Sequence, residues 1–193
     1  PMIQLTSLPI PSARMQVIHN SADAVASTVD VWLNDSLLLD NFNFRTASPF
    51  VDVQAGVDAV VTIAAAISID TSRNTVAQFN LNLIEDSTYI AIANGIVSIS
   101  GYTPNQPFGL DVFVGAREIA ANSSNTDVLV YHGSTDAPGV DVIETSIPAG
   151  TLVDNLEYSN FTTYLSLATA DYVLDLLDST QATLIDSYSA PLS

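Results

Sequence analysis

Val76-Ala77-Gln78-Phe79-Asn80-Leu81-Asn82-Leu83 is the stretch whose reading settles the fold class. Phe79, Leu81 and Leu83 share one parity; Gln78, Asn80 and Asn82 share the other. A period of two suits a strand with one dry face and one wet face. The rhythm returns in Val29-Asp30-Val31-Trp32-Leu33, Phe50-Val51-Asp52-Val53, Tyr89-Ile90-Ala91-Ile92 and Tyr164-Leu165-Ser166-Leu167. Val, Ile, Thr and Tyr dominate these runs, as pleated, half-buried surfaces favour. Turn formers separate them at Asn34-Asp35-Ser36, Gln54-Ala55-Gly56, Asn94-Gly95, Ala137-Pro138-Gly139 and Pro148-Ala149-Gly150. Only Gly115 to Ala121 reads as a helical turn, too short to change the class. Short strands with such breaks predict an all-β chain built as a sandwich or barrel.

The chain also resembles itself. Met15-Gln16-Val17-Ile18-His19-Asn20-Ser21-Ala22-Asp23-Ala24 aligns with Val128-Leu129-Val130-Tyr131-His132-Gly133-Ser134-Thr135-Asp136-Ala137, and Val29-Asp30-Val31 with Val140-Asp141-Val142. Leu39-Asp40-Asn41-Phe42 then matches Val153-Asp154-Asn155-Leu156, at a spacing that stays between 111 and 114 residues throughout. Two copies of one β unit follow from this pattern. The run of a strand ending in Val-His or Tyr-His, then Ser-x-Asp-Ala-Pro-x-Val-Asp-Val, resembles the repeated motif of the DUF4397 family. His132 to Val142 carries it closely, whereas the first copy has Val25-Ala26-Ser27-Thr28 where the motif has Pro and one residue. The resemblance implies secreted, immunoglobulin-like β-sandwich domains, two in tandem, with no catalytic residues attached. The expected organisation is an N-terminal extension over 1-12, repeat 1 over 13-105, a linker over 106-124 and an incomplete repeat 2 over 125-193.

Repeat 2 is incomplete because copy one runs on through Thr88-Tyr89-Ile90-Ala91-Ile92-Ala93 after its Val76 to Leu83 strand, while copy two has nothing to match beyond Leu184 to Tyr188. Before Ala13, conversely, stands an unassigned run. Ile3 and Leu5 alternate there with Gln4 and Thr6, no charge interrupts it, and Pro9 and Pro11 would end a strand. A spare strand at one end and a missing one at the other predict donor-strand pairing between copies. The donor is Met2, Ile3, Gln4, Leu5, Thr6, Ser7 and Leu8. The acceptor edge is expected along Leu184, Ile185, Asp186, Ser187 and Tyr188.

Composition narrows the partners. Of 193 residues, 21 are acidic and only four are basic, all of them Arg, for a net charge of −17. A phosphate backbone needs a basic stripe, so nucleic acid is excluded as a partner. No cysteine is present, which removes disulfides, thiol catalysis and cysteine metal sites. The longest uncharged run, Ser87 to Leu110, is broken by Asn94, Gly95, Gly101, Pro104 and Pro107, so no membrane span is expected. Pro1 is not a start residue, and a chain exported after removal of a signal peptide is expected, placed outside the cell or on its surface.

No residue pattern points to an enzyme. His19 and His132 occupy equivalent places at strand ends, where a structural role outweighs metal binding. Neither stands near a Gly-x-Ser-x-Gly elbow. Asp23, Asp30, Asp136 and Asp141 recur with the repeat; Ca²⁺ is the one ion they could take, but Asp at turns more often caps backbone N–H groups. Trp32, the only tryptophan, shares parity with Asp30 and Asn34 and is a ligand contact if that face is wet. The sequence therefore predicts a non-enzymatic extracellular structural protein without a required cofactor, a filament subunit whose partner is itself. The alternative is a monomeric adhesion or carbohydrate-binding module that uses Trp32.

Overall fold

The computed structural model describes residues 9–147 and 150–193, so the candidate donor strand Met2–Leu8 lies outside the described residues. The described chain is strand joined by turns, with a single 3-10 turn at Ala24–Ala26 capped by the Asp23 carboxylate. Gly115 to Ala121 is irregular rather than helical. No helix among the described residues is long and apolar enough to cross a membrane. The chain divides into two compact units. One takes the residues up to Ala93 with Phe108–Ala116, the other Asn94–Pro107 with Arg117–Ser193.

In the first unit the strands are β1 (Ser12–His19), β2 (Thr28–Leu33), β3 (Ser36–Asn43), β4 (Thr46–Ala47), β5 (Val51–Gln54), β6 (Asp58–Ala65), β7 (Thr75–Asn82), β8 (Thr88–Asn94) and β9 (Gly109–Val114). One sheet runs β3-β2-β6-β7. The other runs β4-β1-β8-β9, with β5 also on β1. All the β1 pairings are antiparallel except that with β8, which is parallel. The chain thus leaves the first sheet after β7 and crosses to the second. Segment 106-124 is not the linker its Pro and Asn content suggests. Leu110, Val112 and Val114 alternate through it, and Gly109–Val114 is the β9 strand of the first unit's sheet.

The second unit holds β10 (Asn125–Val128), β11 (Val140–Glu144), β12 (Gly150–Leu156), β13 (Leu165–Ala168), β14 (Asp171–Asp178) and β15 (Leu184–Pro191). Its larger sheet, β12-β11-β14-β15, repeats the order β3-β2-β6-β7 strand for strand. The smaller sheet is β10-β13 alone among the described residues. Even the register carries over. Ala13 faces Val53 and Met15 faces Val51 across β1 and β5; the matching pairs are Thr126 with Leu167 and Val128 with Leu165.

A shared polar device shapes both larger sheets. The Asp of each Val-Asp-Val is buried, Asp30 at 1% exposure and Asp141 at 0%. Its Oδ1 accepts the backbone N–H of an Asn on the next strand, Asn41 at 3.0 Å and Asn155 at 2.7 Å. Both asparagines are left-handed, with φ of 51° and 47°, a conformation Asn tolerates better than most side chains. The pairing register slips at the same place, between Val29 and Val31 and between Val140 and Val142. The repeated Leu/Val-Asp-Asn-Phe/Leu run is therefore a β-bulge, and the carboxylate satisfies the amide the bulge leaves over. A two-residue hairpin, Asn34-Asp35 with both φ positive, joins β2 to β3 and suits the sheet's twist.

Removing the Asp30 carboxylate leaves the Asn41 amide, part-buried at this bond, without its acceptor, a loss of about 2 kcal/mol. Asp30→Ala is expected to lower the unfolding free energy of the first unit by that amount, read as a fall of about 1 M in its urea midpoint. Trp32 lies in this unit and is the chain's only tryptophan, so its fluorescence reads the first unit directly. An unchanged midpoint would show that the bulge stands without its cap.

Candidate functional site

The two small sheets differ in what flanks their first strand. β1 has β5 on one side and β8 on the other, and its inward side chains are sealed: Ala13 is 2% exposed, Met15 1% and Val17 3%. β10 has β13 on one side and, among the described residues, no strand on the other. The equivalents Thr126, Val128 and Val130 are only half-buried. Above them opens a groove with a cavity volume of about 80 Å³, lined by Val128, Val130, Leu165 and Leu167 from one sheet and Val142 and Leu174 from the other. The core that should close it, Val140, Val142, Val153 and Leu156, is buried, but Val130, Leu152, Leu165 and Leu174 around it are only partly covered.

The residues expected to form the acceptor edge lie elsewhere, in β15. Leu184, Ile185, Asp186, Ser187 and Tyr188 do lie on an edge strand, and Leu184, Ile185 and Tyr188 are 57%, 41% and 51% exposed. Yet β15 corresponds to β7, and β7 is an edge strand in the first unit too. In the first unit the strand that follows β7 is β8, which pairs with β1. The matching flank in the second unit is that of β10, where no strand lies among the described residues.

Trp32 also departs from expectation. It is 9% exposed, and its indole Nε1–H donates to Ser68 Oγ at 3.0 Å. Ser68 Oγ–H in turn donates to Asp30 Oδ2 at 2.6 Å. Asp30 and Trp32 share a parity, but the face they occupy is covered, so the indole offers no ring face to a sugar. Parity was read correctly from the sequence; which face was wet was not.

The histidines close loops. His19 Nε2–H donates to Ala26 O at 2.6 Å, and Nδ1 accepts the Ser21 N–H at 3.4 Å. His132 repeats the arrangement with Pro138 O at 2.8 Å and Ser134 N–H at 3.3 Å. Each ring ties the end of a first strand to the loop before the second. Asp23 accepts from the Val25 N–H at 3.1 Å, a local cap, and Asp136 accepts from the Ser134 hydroxyl at 2.9 Å, a side-chain contact within its own loop. Among the described residues no group of three or more His, Asp or Glu side chains is placed to hold a metal ion. Arg117 pairs with Asp127 on β10 at 2.6 Å, which also takes the Ala121 N–H at 2.8 Å. That N–H first, and the guanidinium with it, hold the Asp127 carboxyl below the usual range.

A family model described as a domain of unknown function, DUF4397, matches residues 13–143, and the chain belongs to that family. The match runs from Ala13 in β1 to Ile143 in β11. No curated protein matches the chain.

Burial pushes the His19 imidazole below its ordinary value, more than its bond to Ala26 raises it. The unfolded chain then takes up a proton near pH 6.5 while the folded one resists. His19 thus supports the first unit fully above about pH 6.5, and that support is lost as the pH falls toward the folded value. Urea midpoints read by Trp32 are expected to fall more between pH 7.5 and pH 5 in the native chain than in His19→Gln. Equal falls would assign the pH response elsewhere.

Proposed function

We propose that this DUF4397 protein is a non-enzymatic extracellular structural subunit, joined head to tail into a cell-surface filament by strand donation. Met2–Leu8 of one copy completes the second unit of the next. The observation that carries this reading is the open apolar groove beside β10, whose second flank has no strand among the described residues, at the place where the first unit carries β8. Proteins normally blunt or cover such an edge, because it offers unpaired backbone groups to any strand that fits. The donor segment supplies alternating Ile3 and Leu5 with no charge to bury. Its base is anchored: Pro11 O accepts the Ala55 N–H at 2.8 Å, just before β1. Pro9 and Pro11 bar a regular strand from running on into β1.

The contact is heterologous, so it propagates unless it closes into a ring. Lysine-free, strongly acidic composition supports a place outside the cell and keeps subunits apart in dilute salt. Backbone pairing and apolar side chains then hold what the charges oppose.

Negative-stain electron microscopy of the native chain, beside the same chain lacking residues 1–11, tests the proposal. Fibres are expected from the first and single particles from the second. Fibres from both, or from neither, would overturn it. Since each copy carries a net charge of −17, fibre growth is expected to accelerate as salt rises from about 0.01 M to about 1 M, where the screening length falls from ~30 Å to ~3 Å. Light scattering that does not change with salt would remove charge repulsion as the brake on assembly.

A further inference from the structure

β7 ends the sheet β3-β2-β6-β7 and pairs only with β6 among the described residues. It reads Thr75-Val76-Ala77-Gln78-Phe79-Asn80-Leu81-Asn82, with no charge and no proline. Proteins normally guard an edge strand with charge, proline or brevity. Every other strand longer than four residues that ends a sheet carries a charge: Asp40 in β3, Asp111 in β9, Asp154 in β12 and Asp186 in β15. On β7 the residues Gln78, Asn80 and Asn82 are exposed, and Ala77, Phe79 and Leu81 on the other face are only half-buried. The Phe79 ring lies 6.3 Å from that of Phe108 and keeps some of its surface in water. For a chain of net charge −17, an uncharged edge of this length is where two copies meet without bringing carboxylates together. We propose that a second copy of the chain binds there, β7 antiparallel to β7, about a two-fold axis through Phe79. The inference stands on this edge and does not depend on strand donation.

Chemistry sets the direction and the register. Arg73 stands just ahead of β7 and Glu85 just beyond it, both exposed. Antiparallel pairing draws the basic flank of each copy toward the acidic flank of the other, whereas parallel pairing sets like against like. A two-fold axis normal to the joined sheet keeps each face continuous, so residues directly opposite one another share parity. With Phe79 on the axis, Phe79 faces its own counterpart, Ala77 faces Leu81 of the second copy, and Gln78 faces Asn80. Every position from Val76 to Asn82 then lies opposite one from the same stretch. Moving the axis to Asn80 leaves Val76 and Ala77 with no opposite residue in β7, and moving it to Gln78 sets Leu81 against Thr75. Cross-strand apolar pairs, an aromatic pair above all, are what stabilise such a junction. The contact is isologous, so it closes after two copies and does not by itself build a fibre.

Introduced thiols can map the contact, since the chain has no cysteine of its own. Under mild oxidation, an equimolar mixture of full-length Gln78→Cys and Asn80→Cys chains is expected to give a disulfide-linked dimer. The yield should exceed that of either variant alone at least about fivefold, because each thiol lies opposite the other variant's and only diagonal to its own, roughly 7–8 Å away. Adding Arg73→Glu to both chains is expected to cut the yield at least about threefold, with the unfolding midpoint read by Trp32 unchanged as the check that the unit is folded. A mixture that gives no more dimer than the single variants, or a yield indifferent to Arg73→Glu, would overturn the inference. Fibres in the microscope without this dimer would remove the β7 contact and leave strand donation standing. The dimer without fibres would support the β7 contact and remove strand donation.

Discussion

A strand in the middle of a sheet buries its inward side chains only if it has neighbours on both flanks. β1 meets this condition, with β5 and β8 beside it, and Met15 and Val17 vanish from solvent. β10 has the same inward pattern and the same register with its β5 equivalent, and among the described residues no strand on its other flank. The groove over Val128 and Val130 follows from that single shortfall. So does the contrast between a sealed first unit and a second whose Leu165 and Leu174 remain partly wet. Among the described residues the cleft leaves apolar side chains partly exposed beside a sheet flank that carries no strand.

The second unit carries the same local polar ties as the first. Asp141 caps the Asn155 bulge as Asp30 caps that at Asn41. His132 ties its loop as His19 does. Glu144 gathers the Ser146 and Ile147 amides at 2.7 and 2.8 Å beyond the end of β11. These are short-range contacts within one sheet or one loop, so none of them needs the missing flank.

Buried aspartates in this fold show why polar residues mislead a parity argument. Asp30 alternates with apolar neighbours as a solvent-facing residue would, yet it is fully enclosed and bonded to Asn41 and Ser68. Trp32 follows it inward on the same face and shares Ser68 as a partner. The carboxylate is there to satisfy a bulge, and the indole to cover it. A charged residue at an alternating position thus marked an internal hydrogen-bond network rather than the wet side of the sheet.

The sequence by itself determined the all-β class, most strand positions, the repeat, and the matching roles of His19 with His132 and Asp30 with Asp141. Each of these is written in local spacing: a period of two, turn formers between runs, and one motif copied some 111 to 114 residues on. The alternation Leu110, Val112, Val114 carried the β9 strand as well, though Pro and Asn around it suggested a linker. Only the tertiary structure decided which strand lies beside which. That β8 leaves the sheet of β7 and pairs with β1 depends on a crossover between layers. That the face of Trp32 is dry depends on a Ser68 loop 36 residues away. Local periodicity records which side chains share a face, but not what covers that face, because the cover is supplied by chain remote in sequence and close only after folding.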